Sequence, residues 1–191
     1  MNYTIDTFNL PPYEFSFAQW SHPSCSPKSF TTNLLSAQSS YISAGDIVID
    51  IGAFTGDTPV LYGNATGPEG KVISFEANPH AYEILEANAR LNPHLNILPV
   101  HKAITEKRGD YVFHYSDPGF CNGGFAQEID RGVGATGHVV PLAVEGVNLT
   151  EWLEENLPKE DWGRISFIKI DTEGYDYKIL RSNRGLFKEI R

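Results

Sequence analysis

Residues 46–58 read Asp46-Ile47-Val48-Ile49-Asp50-Ile51-Gly52-Ala53-Phe54-Thr55-Gly56-Asp57-Thr58. Most of residues 47–51 are aliphatic and β-branched, which is typical of a strand buried on both faces. The run contains the acid Asp50 and leads into Gly52 and Gly56. Glycine has no Cβ, so it lets the backbone turn tightly from a strand into a helix and lets a ligand lie against the chain. The segment therefore predicts the first strand of an open α/β sheet and a cofactor loop after it.

The spacing of this loop favours one class of cofactor. A dinucleotide fingerprint has its middle glycine where pyrophosphate touches the backbone, and here that position is Phe54. The carboxylate of Asp50 would also repel pyrophosphate, and no Gly-Lys-Ser/Thr follows as it would in a P-loop. S-Adenosylmethionine carries an amino acid and a sulfonium but no phosphate, so it suits an acidic glycine loop better. An ordinary strand-to-helix turn is the alternative for this motif alone.

A second short apolar strand covers residues 71–75 and ends in the acid Glu76. Glu76 lies 24 positions after Gly52, near the spacing at which a second-strand carboxylate meets the hydroxyls of a ribose. Two acid-terminated strands in succession indicate an adenosine site. The alternative for Glu76 is a solvated strand end.

Helix and strand patterns alternate around these two strands. A helix is expected to begin at Pro59, and Gly63 and the turn at residues 67–70 are expected to end it early. Residues 79–91 form an amphipathic helix that Asn78 caps and that ends at Asn92-Pro93, and residues 95–100 form a third strand. Strands that alternate with helices predict a mainly parallel sheet with right-handed crossovers and helices on both faces. The predicted fold class is therefore a Rossmann-like α/β domain.

Three motifs carry a resemblance to a known family. They are residues 48–58, residues 75–79 (Phe75-Glu76-Ala77-Asn78-Pro79) and residues 168–180, which begin Ile168-Lys169-Ile170-Asp171-Thr172-Glu173-Gly174. In these motifs the chain resembles class I S-adenosylmethionine-dependent methyltransferases of the FkbM family, for which the third motif is the most specific. The resemblance predicts a methyltransferase domain at residues 45–191 after an extension at residues 1–44. The family's sheet has more strands than are found here, so the chain is expected to lack its C-terminal strands.

The resemblance also implies which residues hold the cofactor. The acid and loop at residues 50–56 match positions that bind the methionine part, and Glu76 matches the ribose ligand. The segment after the third strand borders the adenine, and Asp171 lies beside the transferred methyl group. Ala77 departs from the more common proline, which should affect only loop stiffness. The predicted cofactor-binding residues are Asp50, Gly52, Ala53, Phe54, Thr55, Gly56, Glu76, Ala77, Asn78, Lys102, Ala103 and Asp171.

Asp171 and Glu173 are the predicted catalytic residues. Residues 165–170 form a buried strand, so both acids stand at its carboxyl end beside the expected ligand. Two carboxylates there could orient a hydroxyl nucleophile and accept its proton if burial and repulsion raise one pKa. Methyl transfer to oxygen depends mainly on alignment, so no metal is expected. The alternative is that Glu173 only favours the N-terminus of the following helix through its charge.

The region between the third and fourth strands is predicted to determine which substrate binds. Strands are expected at residues 110–115 and 138–144, and a glycine-rich loop with aromatic and polar side chains lies between them. Asp117, Asn122 and Gly123 in this loop are the predicted substrate-binding residues, which suit a sugar or polyol. A mobile solvated loop is the alternative. A helix capped by Asn148 follows.

The first 44 residues contain few charges and many aromatic side chains. The alternation at residues 13–17 predicts a strand or hairpin arm, and residues 29–41 predict a short helix. This segment is either a lid over the cofactor or an extension that packs on an edge of the domain.

Charge and composition limit the partners. The net charge of −9 argues against nucleic acid, and no apolar run approaches the length of a membrane span, so a cytoplasmic protein is expected. The sequence is compatible with a homo-oligomer. The sequence thus predicts an S-adenosylmethionine-dependent O-methyltransferase acting on a hydroxyl of a glycan, sugar or other small-molecule natural product. The alternatives are an NAD-type Rossmann oxidoreductase and an inactive cofactor-binding fragment that serves as a binding module.

Overall fold

The computed structural model describes residues 1–38, 40–115, 124–125 and 140–190. Its strands are β1 (Tyr3–Leu10), β2 (Tyr13–Trp20), β3 (Ile47–Ile51), β4 (Lys71–Phe75), β5 (Ile97–Val100), β6 (Ala103–Ile104), β7 (Gly109–Tyr115), β8 (Gly124–Phe125), β9 (Val140–Val147) and β10 (Ile165–Ile170). Its helices are α1 (Thr32–Gln38), α2 (Asp57–Thr66), α3 (Pro79–Leu91), α4 (Leu149–Asn156) and α5 (Asp176–Ser182). Within those ranges, no helix is both long and apolar enough to cross a membrane.

A parallel sheet forms the centre of the fold. Its strand order is β10-β3-β4-β5, and all three neighbouring pairs are parallel. The carboxyl ends of β10, β3 and β4 therefore meet at one edge, with Ile170 beside Ile51 and Ile51 beside Phe75. This arrangement confirms the predicted Rossmann-like α/β fold class.

Alternate residues of β3 point to two different layers of helices, as the period of a strand requires. Ile47, Ile49 and Ile51 belong to a buried cluster that includes Trp152 of α4 and Ile179 of α5. Val48 belongs to a second cluster with Tyr62 of α2. Burial on both faces explains why nearly every position of this strand is aliphatic.

Two element boundaries differ from the prediction. Helix α2 begins at Asp57 and continues through Gly63 to Thr66, so the prediction that Gly63 helps to end it was wrong, whereas Gly67, the first residue of the predicted turn, is its C-cap. Gly63 instead lies against Leu95, where a Cβ would come within 2.8 Å of the Leu95 side chain. Leu95 belongs to a short 3-10 helix, and the third core strand starts only at Ile97. Close helix packing, which the sequence alone does not display, outweighed glycine's low helix propensity.

A second sheet follows the third core strand. Its order is β6-β9-β7-β8, with β7 antiparallel to β9 and β6 parallel to it. The predicted strand at residues 110–115 is confirmed as β7, and the predicted strand at residues 138–144 corresponds to β9, which runs to Val147. Asn148 caps α4 by accepting hydrogen bonds from the N–H groups of Thr150 and Glu151, as predicted.

The N-terminal segment folds as the antiparallel hairpin β1-β2, which confirms the predicted hairpin arm. Asn88 of α3 and Asn92, the residue that caps the C-terminus of α3, hold the hairpin in place. The Ala18 N–H donates to Oδ1 of Asn88, and the Ser16 N–H donates to Oδ1 of Asn92. Phe15 and Phe17 are buried in one cluster with Val60 of α2. The hairpin therefore shares its core with the helices beside the central sheet.

Candidate active site at the carboxyl edge of the parallel sheet

The glycine loop after β3 is clamped against the end of β10. The Asp171 N–H donates to the Ile51 carbonyl at 3.0 Å. Gly52 has a φ of +79°, and a Cβ at this position would lie 2.0 Å from the Asp171 carbonyl oxygen. Only glycine combines this left-handed conformation with so close an approach of two chains. Gly52 thus joins the two predicted parts of the site.

Most of the loop's amide groups are already hydrogen-bonded within the protein. The N–H groups of Gly52 and Ala53 both donate to the Phe75 carbonyl. The Phe54 N–H donates to Glu76, and the Gly56 N–H donates to the Ala53 carbonyl. A phosphate-binding loop needs such amides to be free to face the anion. The loop at residues 52–56 is therefore poorly suited to pyrophosphate.

Phe54 adopts a conformation that is unusual for a bulky residue. Its φ is +48°, in the left-handed region that favours glycine. Three contacts accompany it: the hydrogen bond from its N–H to Glu76, the Trp20 ring with its centroid 6.1 Å away, and Lys28 with its Nζ 5.5 Å from the ring centre. Strained backbone of this kind concentrates at functional sites. The N-terminal hairpin thus reaches the cofactor loop through Trp20.

Thr55, the next residue of the loop, is held by Asn88 of α3. It is buried, and its carbonyl accepts a hydrogen bond of 2.7 Å from Nδ2 of Asn88. Asn88 is also the residue that holds Ala18 of the hairpin. One amide side chain therefore ties the hairpin and the loop together. The prediction that the hairpin covers a ligand stays a prediction.

Glu76 is buried, and each of its carboxylate oxygens accepts a backbone hydrogen bond. Oε2 accepts from the Phe54 N–H and Oε1 accepts from the Asn78 N–H, both at 2.7 Å. Burial raises the pKa of Glu76 from 4.5 to about 7, and the two N–H donors oppose this rise. Each oxygen can accept a further hydrogen bond, and a ribose hydroxyl could donate it.

Asp50 is completely enclosed. One oxygen accepts a hydrogen bond from the Thr58 hydroxyl at 2.5 Å, and the other accepts from Lys169 Nζ at 3.1 Å. Burial raises the pKa of Asp50 to about 6, against the lowering effect of Lys169 and Thr58. The side chain of Asp50 is 0% exposed, so its carboxylate contacts other residues of the protein and not solvent. Its predicted contact with the methionine part of the cofactor stays a prediction.

Lys169 is a site residue that the sequence reasoning missed. Its Nζ donates to Asp50 and to the Gly52 carbonyl, at 3.1 and 2.9 Å. The sheet register pairs Lys169 directly with Asp50. A lysine between two isoleucines in a mostly apolar strand, two residues before Asp171, was the signal that could have revealed it.

Asp171 and Glu173 follow β10 and are exposed to solvent. The side chain of Asp171 is 65% exposed, with Oδ2 3.7 Å from Lys169 Nζ. Glu173 has a φ of +53°. Partial desolvation, and then the negative charges of Asp171 and Asp176, raise the pKa of Glu173. The acid in the first turn of α5 is Asp176. Its carboxylate accepts hydrogen bonds from the N–H groups of Thr172 and Gly174.

The other predicted cofactor residues lie after β4 and β5. The carbonyl of Ala77 contacts Nε2 of His101 at 3.3 Å, and the His101 ring stacks on Tyr82. Asn78 caps α3 by accepting from the His80 N–H. Lys102 pairs with Glu145 of β9, and Ala103 is buried at the start of β6. These positions border the same edge of the sheet as Glu76.

The predicted substrate-binding residues Asp117, Asn122 and Gly123 lie outside the described residues. In the part of the chain that is described, no group of His, Cys, Asp and Glu side chains could hold a metal ion.

The groups at this edge fit S-adenosylmethionine in their chemistry. The buried acceptors of Glu76 suit hydroxyl donors, and the acidic surroundings of Asp171 and Glu173 suit a ligand with positive charges. The glycine loop offers few free amides for a phosphate, and this cofactor has none to bind.

Comparison with known proteins agrees with this chemistry. A family model described as "Methyltransferase FkbM domain" matches residues 50–191. Among curated proteins, none matches the chain.

Several solved structures match part of the chain. Fibrillarin of Aeropyrum pernix with natively bound S-adenosyl-L-methionine is 24% identical, with a TM-score of 0.31, over 33% of this chain and 26% of that chain. A SAM-dependent O-methyltransferase of Thermotoga maritima is 15% identical, with a TM-score of 0.37, over 53% and 42% of the two chains. A tRNA m1G37 methyltransferase of M. jannaschii is 21% identical, with a TM-score of 0.33, over 52% and 29%. The chain thus spans less than half the length of each of these proteins.

Proposed function

This chain belongs to the FkbM methyltransferase domain family, whose cofactor is S-adenosyl-L-methionine, and from that premise we infer that it methylates a hydroxyl oxygen. The acceptor that we propose is a sugar, a glycan or a related natural product. Asp171 and Glu173 supply the main support, because they are solvent-exposed carboxylates at the same sheet edge as the buried Glu76. An acceptor can reach them, whereas the enclosed Asp50 is closed to it.

The two exposed carboxylates have different roles in this proposal. The cofactor supplies an electrophilic methyl group on its sulfonium when it is bound. Asp171 accepts a hydrogen bond from a second hydroxyl of the sugar or polyol and thereby aligns the reacting oxygen, which is the main requirement of an in-line displacement. Glu173 takes up the hydroxyl proton, and its raised pKa makes it a better base than an ordinary glutamate. Neither role requires a metal ion.

A dinucleotide oxidoreductase has less support from the same loop. Its cofactor needs backbone N–H groups for pyrophosphate. The N–H groups of Gly52, Ala53, Phe54 and Gly56 are engaged within the protein. No described contact favours this alternative.

Incubation with methyl-labelled S-adenosylmethionine and a panel of glycans, small polyols, amines and carbon acids tests the proposed acceptor class. We expect labelled methyl ethers from the hydroxyl acceptors. Glu173→Gln should lower the rate about 10- to 100-fold, because proton transfer by a positioned side chain contributes at least that much. Glu160→Gln removes an exposed glutamate from the 3-10 helix before β10 and serves as the control. Label found only in amine or carbon acceptors would contradict O-methylation.

A further inference from the structure

Lys169 has its ammonium nitrogen within 4 Å of carboxylate oxygens of both Asp50 and Asp171. Its side chain is only 20% exposed, on a strand whose neighbouring residues are isoleucines. The register across the sheet places it level with Asp50 on β3 and, one strand further, with Ser74 on β4. This row of polar residues runs under the glycine loop. A lysine there is held in one place by the surrounding chain.

The ammonium group of Lys169 is only partly satisfied. In the ranges that the structure covers, it donates to Asp50 Oδ1 at 3.1 Å and to the Gly52 carbonyl at 2.9 Å. A lysine ammonium has three N–H donors, so one is left for a further acceptor. Asp171 Oδ2 is 3.7 Å away, which is beyond hydrogen-bond distance. Asp171 is 65% exposed, so this ion pair is open to solvent.

Lys169 thus places a positive group next to the glycine loop, beside the exposed carboxylate of Asp171. The amino-acid end of S-adenosylmethionine carries a carboxylate and an ammonium on the same carbon, and its carboxylate is the group that a lysine ammonium can bind. Asp50 cannot serve that carboxylate, because it is enclosed and carries the same sign of charge when it is ionised. Asp171 and Glu173 are excluded by charge as well. The described lysines Lys28 and Lys102, which also lie near this edge, are paired with Asp57 and Glu145, so Lys169 offers the fitting donor.

We propose that Lys169 binds the carboxylate of the cofactor's amino-acid end and so distinguishes the intact cofactor from analogues that lack this group. The inference rests on the cofactor assigned above, and it is independent of the acceptor. A charged hydrogen bond of this kind contributes about tenfold or more to affinity.

Two other roles for Lys169 make different predictions. If Lys169 only holds the Gly52 carbonyl and neutralises Asp50, its loss weakens every adenosine ligand to a similar extent. If its ammonium only occupies the place of the cofactor's ammonium, its removal strengthens binding. Carboxylate recognition alone predicts a loss that depends on whether the ligand carries a carboxylate.

Isothermal titration separates these roles with two ligands, S-adenosylhomocysteine and its decarboxylated analogue, which keeps the ammonium. The wild type should bind S-adenosylhomocysteine at least about tenfold more tightly than the analogue. Lys169→Met should remove that preference by weakening S-adenosylhomocysteine about tenfold or more. It should leave the analogue's affinity unchanged or higher, because a positive charge near its ammonium is gone. Lys71→Met, which removes a lysine from the amino-terminal end of β4, is the matched control and should keep the preference.

Equal losses for both ligands in Lys169→Met would overturn the inference, and so would tighter binding or unchanged binding of S-adenosylhomocysteine. If Lys169→Met does not fold, the wild type decides by itself, because equal affinity for the two ligands contradicts carboxylate recognition. A wild-type protein that binds neither ligand would refute the cofactor assignment together with this inference. Failure to methylate a hydroxyl, with the ligand preference intact, would refute only the proposed acceptor.

Discussion

The acids at the ends of β3 and β4 differ from the acids after β10 in almost every physical respect. Asp50 and Glu76 are buried and accept hydrogen bonds from their own chain, and burial raises the pKa of each. Asp171 and Glu173 are exposed. The carboxylates of the first pair are held in place by hydrogen bonds within the protein, whereas those of the second pair contact solvent, which a ligand could displace.

Under the proposed function, this difference gives the two halves of the site separate tasks. Enclosed carboxylates with fixed partners are preorganised, which suits a cofactor that is the same in every turnover. Exposed carboxylates on a loop can adapt to an acceptor. Substitutions in the first half should therefore affect stability and cofactor affinity together, and substitutions in the second half should affect turnover.

Gly52→Ala should have the largest effect, because Gly52 is where the two halves touch. The new Cβ would lie 2.0 Å from the Asp171 carbonyl oxygen, at a φ of +79°. We expect the free energy of unfolding to fall by at least about 4 kcal/mol, as for other severe backbone clashes. Urea unfolding measures it.

Gly45→Ala is the matched control for this clash. Gly45 has a similar φ of +87°, but a Cβ there would meet nothing within 4 Å. It should cost about 1 kcal/mol from backbone strain alone. Equal losses for the two variants would show that conformation, and not the contact with β10, makes Gly52 necessary.

Asn88→Ala should have the next largest effect. It removes the hydrogen bonds to Ala18 of the hairpin and to the Thr55 carbonyl of the loop, which leaves buried groups unpaired. We expect a loss of about 2–3 kcal/mol in unfolding free energy and weaker S-adenosylhomocysteine binding. Asn64→Ala, which removes a bond to the Val60 carbonyl within its own helix, should cost about 1 kcal/mol or less. If Asn88→Ala lowers stability without changing affinity, the hairpin does not support the cofactor loop.

The buried pair should make the protein sensitive to pH. The folded state binds the Glu76 proton more tightly than the unfolded chain does, because the pKa of Glu76 is raised from 4.5 to about 7. The free energy of unfolding of the ligand-free protein should therefore fall as the pH rises from 4.5 through 7, and Asp50, with its pKa raised to about 6, contributes in the same direction. Urea unfolding at a series of pH values measures this slope. A stability that rises through that window would contradict the burial of charged Glu76.

Cofactor affinity should change in the opposite direction. The ionised carboxylate of Glu76 accepts more hydrogen bonds than the protonated form, so S-adenosylhomocysteine should bind about tenfold more tightly at pH 8 than at pH 6. Glu76→Gln should remove most of this dependence. Titration calorimetry at the two pH values measures both proteins.

Asp171→Asn and Glu173→Gln should have the smallest effect on stability. Both residues are exposed, and the Asp171 ion pair with Lys169 is 3.7 Å long. We expect unfolding free energies within about 0.5 kcal/mol of the wild type. A loss of 2 kcal/mol or more in either variant would show that the second pair is structural, and the distinction between the two halves would fail.

Strands β3, β4 and β10 of the central sheet could be predicted from the sequence because each is a short, mainly apolar run that contains or leads to an acid. Glu76 was recognised for the same reason. The enclosure of Asp50 could not be predicted, because it depends on Thr58 from α2 and on Lys169 from a strand more than a hundred residues later. Spacing along the chain does not show which side chains meet across a sheet.

Tertiary contacts also explain the remaining differences. Asn92 was predicted only as the end of α3, and it is indeed the C-cap, but its side chain also holds Ser16 of the hairpin. Gly63 was predicted as a helix end because glycine disfavours helices, yet its small size is what the contact with Leu95 requires. Both residues serve a partner distant in sequence, which local propensity does not reveal.

The central claim is that buried Glu76 binds the cofactor through its ionised carboxylate. Calorimetric titration of S-adenosylhomocysteine into Glu76→Gln at pH 8 tests this most directly, with Glu69→Gln, an exposed residue just before β4, as the control. We predict affinity at least about tenfold weaker for Glu76→Gln and within about twofold of the wild type for Glu69→Gln. A Glu76→Gln protein that keeps the wild-type circular dichroism spectrum and the wild-type affinity would contradict the account.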